Sequence, residues 1–211
     1  MTSSNATRDG LYTIGHSNLD LGDFLAVLVH HGVKTLCDVR SRPGSFRFPQ
    51  FNREPLEAAA SLVKIQYQFL GESLGGRPED PRAYHSDGQV DYFARRKSPD
   101  FSAGVDRLLG FYRSAGTALM CAEEDPLQCH RFLMICPALV ERGVLAVHIR
   151  RNGILESQRD AEDRLLDLHG GAAFTSGALF VTERGPALED ALRCQAKEFA
   201  FRTSPEAIEY F

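Results

Sequence analysis

The sequence predicts an α/β fold: an open, mainly parallel sheet with helices on both faces, in a single domain with a C-terminal α/β extension. Two observations predict it. Short apolar stretches alternate with segments whose apolar residues recur at helical spacing, and that repeated order gives right-handed crossovers and parallel pairing. Five of the apolar stretches also run straight into polar clusters. In an open parallel sheet the carboxyl ends of the strands share one edge, so those clusters are expected to meet there.

Taken in order, residues 1–10 are polar and read as a disordered tail, and Leu11 to Ile14 forms a first buried strand ending at Gly15. Asn18 or Asp20 can cap a helix over 20–31, where Leu21, Phe24, Leu25 and Leu28 share a face and Gly32 ends it. Residues 33–39 form the second strand. The Arg-, Pro- and Phe-rich segment 40–52 has neither periodicity and reads as a functional loop. A helix over 53–63 and a strand over 65–70 follow. Residues 71–89 are rich in Gly, Pro, Asp and Arg and are expected to be irregular, a candidate lid over the sheet edge. A short helix is expected over 91–96. A longer one, capped by Ser98 or Asp100, carries Phe101, Val105, Leu108, Leu109 and Tyr112 on one stripe. Then come a strand over 117–121, a helix over 129–142 and a strand over 144–149. The extension begins with a turn at Asn152-Gly153, followed by a helix over 158–168, a strand over 178–182 and a helix over 187–199.

The 211 residues fit one domain, and 43% hydrophobic content suffices for its core. A formal net charge of -4 argues against a surface that coats nucleic acid or an anionic membrane. A local basic site is compatible with it, since 20 of the 24 basic residues are arginines, whose planar fork suits carboxylate and phosphate. Five cysteines without framework spacing, and an amino terminus with no apolar leader, point to a reduced, cytoplasmic protein. No apolar run approaches the ~18 residues of a membrane span. Oligomeric state is not predicted.

The polar tips are Gly15-His16-Ser17-Asn18, Asp38-Val39-Arg40-Ser41 with Pro43 and Ser45, Phe51-Asn52, Gly71-Glu72 with Leu74-Gly75-Gly76-Arg77, Cys121-Ala122-Glu123 with Pro126, Cys129-His130-Arg131, and His148-Ile149. Read in this order, over roughly residues 11–150, they resemble the domain-of-unknown-function 488 family. The resemblance implies a compact α/β domain with its site at these tips, and it names no reaction.

The residue types allow several chemistries. A thiol at a helix start beside His and Arg is a reactive-thiolate pattern, which makes Cys129 a candidate nucleophile. The competing reading is that Cys121 and Cys129 are small buried residues flanking a turn, with Arg131 pairing Glu123 or Asp38. Cys121, Glu123, Cys129, His130, His16 and His148 are all zinc-ligand types, but the spacing from Cys121 to Cys129 is not that of a structural zinc motif, and no metal or other cofactor is assigned. Arg40, Arg42, Arg47, Arg77 and Arg131 favour an anionic ligand. Phe46, Phe48 and Phe51 among them can stack a base or pin the loop. Asp38, Glu72 and Glu123 are candidate general acids or bases, with an Asp38–Arg40 salt bridge as the structural alternative for Asp38.

The expectation is therefore an enzyme acting on a phosphate-bearing small molecule, nucleotide or nucleic-acid end by hydrolysis or group transfer. His16, Glu123, Cys129 and His130 are its candidate catalytic residues. Ser17, Asn18, Asp38, Arg40, Ser41, Glu72, Gly76, Arg77, Arg131 and His148 are its candidate ligand-binding residues. A non-catalytic nucleotide- or nucleic-acid-binding module is the alternative.

Overall fold

A computed structural model describes residues 10–170 and 184–203. Its sheet contains β1 (Leu11–Gly15), β2 (Thr35–Asp38), β3 (Gln66–Phe69), β4 (Thr117–Cys121), β5 (Val147–Ile149) and β6 (Leu155–Ser157), in the order β3-β2-β4-β1-β5-β6. The first five are parallel, and β6 runs antiparallel to β5. The open, mainly parallel α/β architecture expected from the sequence is the architecture observed.

Alternation along the strands sorts the core into two layers, because successive side chains leave a strand on opposite faces. Tyr12, Ile14, Leu36, Tyr67, Ala118 and Met120 face α1 (Leu21–His30) and α2 (Arg53–Leu62), which bury Phe24, Leu28, Leu56 and Ala60 against them. Leu11, Cys37, Val39, Leu119 and Cys121 face the other layer. There the sheet meets Phe101, Val105 and Leu108 of α5 (Pro99–Ser114), then the 126–139 segment. Helices α7 (Gln158–Leu168) and α8 (Arg184–Phe199) join this layer through Ala161, Leu165, Ala191 and Leu192.

This sorting positions the site. After β1 the chain passes to the α1 face, whereas after its neighbour β4 it passes to the opposite face. Adjacent strands whose connections diverge in this way open a crevice between their carboxyl ends. Register fills that crevice: Gly15 lies opposite Cys121, and Asp38 opposite Met120. The pairing continues past the strands through His16 N–H to the Cys121 carbonyl at 3.0 Å and Ser17 N–H to the Ala122 carbonyl at 2.8 Å.

Three expectations are corrected. The 129–142 helix begins as a π-helical turn over Arg131–Ile135 and becomes α6 only at Cys136–Val140. Pro137 is the physical reason, since it has no N–H to give Leu133 and its ring would strike that carbonyl in a regular helix. The 71–89 segment is more ordered than expected, with a one-turn helix α3 (Gly71–Leu74), a 3-10 turn over Pro81–Ala83 and a Tyr84–Val90 bridge. Strand β6 has no counterpart in the sequence pattern: the turn at Asn152-Gly153, with Gly153 at φ 74°, folds the chain back onto β5. The short helix α4 (Tyr92–Arg96) lies where expected, capped by Asp91. The proposed strand over 178–182 and the amino-terminal tail through residue 9 lie outside the described residues. No described helix is long and apolar enough to cross a membrane.

Candidate active site

A cavity of about 760 Å³ opens at the carboxyl edge. From the β1 tip come His16, Ser17 and Asn18, and from the β2 loop come Arg40, Ser41, Arg42, Arg47 and Phe48. Gly76 and Arg77 close one side; Cys121, Glu123 and His130 form the floor.

The β2 tip is a buried ion pair. Arg40 Nη2 lies 2.6 Å from Asp38 Oδ2, its Nε 2.9 Å from Asp38 Oδ1, and Nη2 also donates to the Phe51 carbonyl at 2.8 Å. Tyr67 adds its hydroxyl to Asp38 at 2.7 Å. One bidentate guanidinium fork, the Arg40 main-chain N–H at 3.0 Å and a phenol leave few lone pairs of the Asp38 carboxylate unused, which is what a buried charge requires. The remaining Arg40 nitrogen, Nη1, reaches His16 Nε2 at 3.3 Å.

His16 completes that arrangement. Its Nδ1–H donates to the Ser17 carbonyl at 2.9 Å, so Nε2 carries the lone pair that receives Arg40. The ring stacks on Phe51 at 4.3 Å. Burial, then the Arg40 charge, push its pKa down to about 4. His16 is thus a neutral acceptor at physiological pH. Ser17 takes a left-handed backbone with φ 46°, one of two non-glycine residues to do so among those described, and a strained residue at a site tip is a recurrent feature of functional loops.

The floor gathers three sulfur and nitrogen donors. Cys121 Sγ lies 3.6 Å and Cys129 Sγ 3.8 Å from His130 Nδ1, and all three atoms fall within 4.8 Å of one another. His130 Nε2–H donates to the Val39 carbonyl at 2.9 Å, which leaves Nδ1 to face the sulfurs. The Cys121 thiol donates to Glu123 Oε2 at 3.0 Å, and the Arg131 N–H reaches Cys129 Sγ at 3.4 Å. Cys129 is held well below the ordinary thiol range: burial opposes this, but its contact with Cys121 and the charges of Arg131 and His130 outweigh it. Cys121 is raised in turn by its bond to Cys129 and by burial. Burial would lower His130, yet the Cys129 charge raises it. Glu123 faces the open cavity with protein on most sides; burial and Cys129 raise its carboxyl. These donors are the described residues able to hold a metal ion.

The loop that carries Glu123 is fixed from behind. Arg150 pairs with Glu124 at 3.0 Å, and Arg164 pairs with Asp125 at 2.7 Å and with Glu156 at 2.9 Å. Glu156 lies on β6, so the extension braces the site. Gly15 lets the loop approach, since a Cβ there would sit 1.7 Å from the Glu123 carbonyl oxygen.

The cavity thus brings together His16, Ser17, Asn18, Arg40, Ser41, Gly76, Arg77, Glu123 and His130. Cys129 lies buried behind Cys121 and is not part of the lining. Asp38 is fully buried and touches the cavity only through Arg40. Three expected ligand-binding residues are elsewhere. Arg131, 1% exposed, spends its guanidinium on the Glu123 and Glu124 carbonyls at 2.6 and 2.7 Å. His148 is buried under Thr13, with 2.8 Å between Oγ1 and Nδ1, and Glu72 faces solvent. Sequence reasoning missed Tyr92, Gln128 and Phe199, which line the cavity, and Phe201, on which the Arg77 guanidinium stacks at 4.3 Å. No local pattern marks them, since three are aromatic core-like residues from α4 and the C-terminal segment.

No curated protein and no solved structure matches the chain. A family model, the domain of unknown function DUF488, matches residues 20–135, which takes in the tips of β2 and β4, the Gly76-Arg77 wall and the Cys121–Cys129–His130 floor. The match spans just over half the chain, and the protein belongs to the DUF488 family.

Proposed function

We propose that this chain is an enzyme that acts on a phosphate-bearing or otherwise anionic ligand, by hydrolysis or group transfer at the carboxyl edge of the sheet. One observation carries the reading: exposed Arg42, Arg47 and Arg77 ring the mouth of a cavity whose floor holds Glu123, Cys121 and His130. Anion-binding forks over nucleophilic and proton-accepting groups are the division of labour such a reaction needs. The arginines hold the anion. Arg40, oriented by Asp38 and His16, presents a further fixed positive charge from the wall. Glu123 takes or returns the proton of the attacking group. The five free cysteines support a reducing, cytoplasmic setting.

The test is a panel of nucleotides, sugar phosphates and short 5′-phosphorylated oligonucleotides, scored for thermal stabilisation and for turnover, with Arg77→Ala beside the wild type. Turnover of a panel member, weakened at least ~10-fold in Arg77→Ala, is expected. Binding that is indifferent to Arg77, or none at all, counts against the reading.

A second reading, a non-catalytic nucleotide- or nucleic-acid-binding module, is favoured by Phe46. Its ring is fully exposed beside Arg47, and an unpacked aromatic between basic residues suits a stacked base. Steep salt dependence without turnover would select it.

A further inference from the structure

We propose that Cys121, Cys129 and His130 form a binding site for a thiophilic divalent cation, zinc by its chemistry, with its fourth position open to the cavity; the catalytic use of that site rests on reading the cavity as the active site. Zinc takes thiolate at ~2.3 Å and imidazole at ~2.0–2.1 Å, and tetrahedral angles between such bonds put sulfur roughly 3.6 Å from nitrogen. The two sulfur–nitrogen separations here are 3.6 and 3.8 Å. Two edges of such a tetrahedron are therefore already present, and the two sulfurs lie within 4.8 Å of each other.

The surroundings fit a metal in three further respects. His130 is oriented by the donation from Nε2 to the Val39 carbonyl, the outer-shell bond that ligating histidines usually make, and it aims Nδ1 at both sulfurs. The Arg131 N–H bonds Cys129 Sγ, as amides do around metal thiolates. Gly76 packs directly against the imidazole, where a Cβ would lie 2.9 Å from its Cγ, so the ring has little room to turn. All three ligands are buried, yet Cys121 and His130 border the cavity, which leaves a route in and a side facing out. Three protein ligands with one open position is the arrangement of catalytic zinc sites.

Glu123 lies at that open side, with its carboxylate 3.0 Å from Cys121 Sγ. It is placed to serve a water in the fourth position, which favours the hydrolytic form of the proposed reaction. The water proton passes to Glu123 and the remaining hydroxide bonds to the electrophilic atom of the substrate. That atom's bond to the leaving group breaks, and the leaving group departs with the proton from Glu123.

The experiment uses the full chain, stripped by chelator under reducing conditions and dialysed against zinc or cobalt(II). Expected results are about one zinc per chain after desalting, thiolate-to-cobalt charge-transfer bands with the visible spectrum of tetrahedral cobalt, and zinc-dependent protection of Cys121 and Cys129, but not the exposed Cys194, from alkylation. Cys129→Ser and His130→Ala should each lower zinc affinity by more than about 100-fold, beyond the loss an outer-shell change causes. Cys136→Ser, a buried cysteine outside the cluster, should retain it. If either ligand variant does not fold, the cobalt spectrum and the protection pattern of the wild type decide. No retained metal, or protection that bypasses Cys121 and Cys129, overturns the proposal. Turnover of an anionic substrate by metal-free protein would overturn the catalytic use of the site and leave the functional reading in place. Stoichiometric zinc without any anion binding would do the reverse.

Discussion

The Nε2–H of His130 donates to the main-chain carbonyl of Val39 across 2.9 Å, fastening the segment after β4 to the tip of β2. One bond thereby sets the imidazole tautomer and joins the two loops that supply most of the cavity. His130→Phe keeps the ring volume but leaves the Val39 carbonyl buried and unpaired. The expected loss is about 1–3 kcal/mol in urea unfolding, the cost of one unsatisfied buried acceptor. A variant as stable as wild type would show that the bond fastens nothing.

Asp38 and Arg40 should behave as a buried pair whose halves depend on each other. Asp38→Ala removes the partner of a guanidinium that is 6% exposed, and breaking such a pair costs about 3–5 kcal/mol. Tyr67→Phe removes only one neutral donor to the same carboxylate and should cost nearer 1 kcal/mol. Equal losses from the two changes, measured by chemical denaturation, would contradict the hierarchy.

Both features could be partly read from the chain. A strand that is apolar until it ends in a polar or charged residue signals an edge, and the tips at His16, Arg40 and Glu123 carry that signal. What the pattern cannot fix is the last residue of each strand and the phase of the helix that follows. His148 reads as a tip by this pattern, yet it pairs with Thr13 inside the ladder and is buried there. Arg131 reads as an anion ligand on a regular helix. The extra residue that Pro137 imposes on this turn changes its phase, and the guanidinium points back to its own loop. Phe199 and Phe201 reach the site only through the docking of α8, for which local sequence holds no sign.

Gly15→Ala tests the close approach of β1 to the Glu123 loop. The added Cβ meets backbone, with the nearest atom 1.7 Å away, so no side-chain rotation can relieve it. Destabilisation of about 3 kcal/mol, at the upper end for overpacking, is expected, together with weaker anion binding as Glu123 is displaced. Gly110→Ala is the control. Its Cβ meets nothing within 4 Å on α5, and alanine there should be neutral or slightly stabilising. The two melting temperatures decide the matter.

His148 gives the fold a defined sensitivity to acid. It is 1% exposed, and burial first, then the Arg131 charge, depress its pKa to about 4, with Glu156 opposing and Arg150 adding to the fall. The unfolded chain takes up this proton near pH 6.5. Between those values the unfolded state binds more protons than the folded one, so stability must fall as pH drops through the window. The contribution is fully present above about pH 6.5, declines from there to about pH 4, and is constant below; over the whole window it amounts to about 3 kcal/mol. His16, lowered to about 4 for similar reasons, acts in the same direction, so the test must isolate one ring. Urea unfolding of wild type between about pH 7.5 and 5 should show a loss to which His148 contributes roughly 2 kcal/mol, and His148→Gln should reduce the slope by that share. An unchanged slope in the variant would mean that the buried imidazole accepts its proton as readily in the folded chain as in the unfolded one.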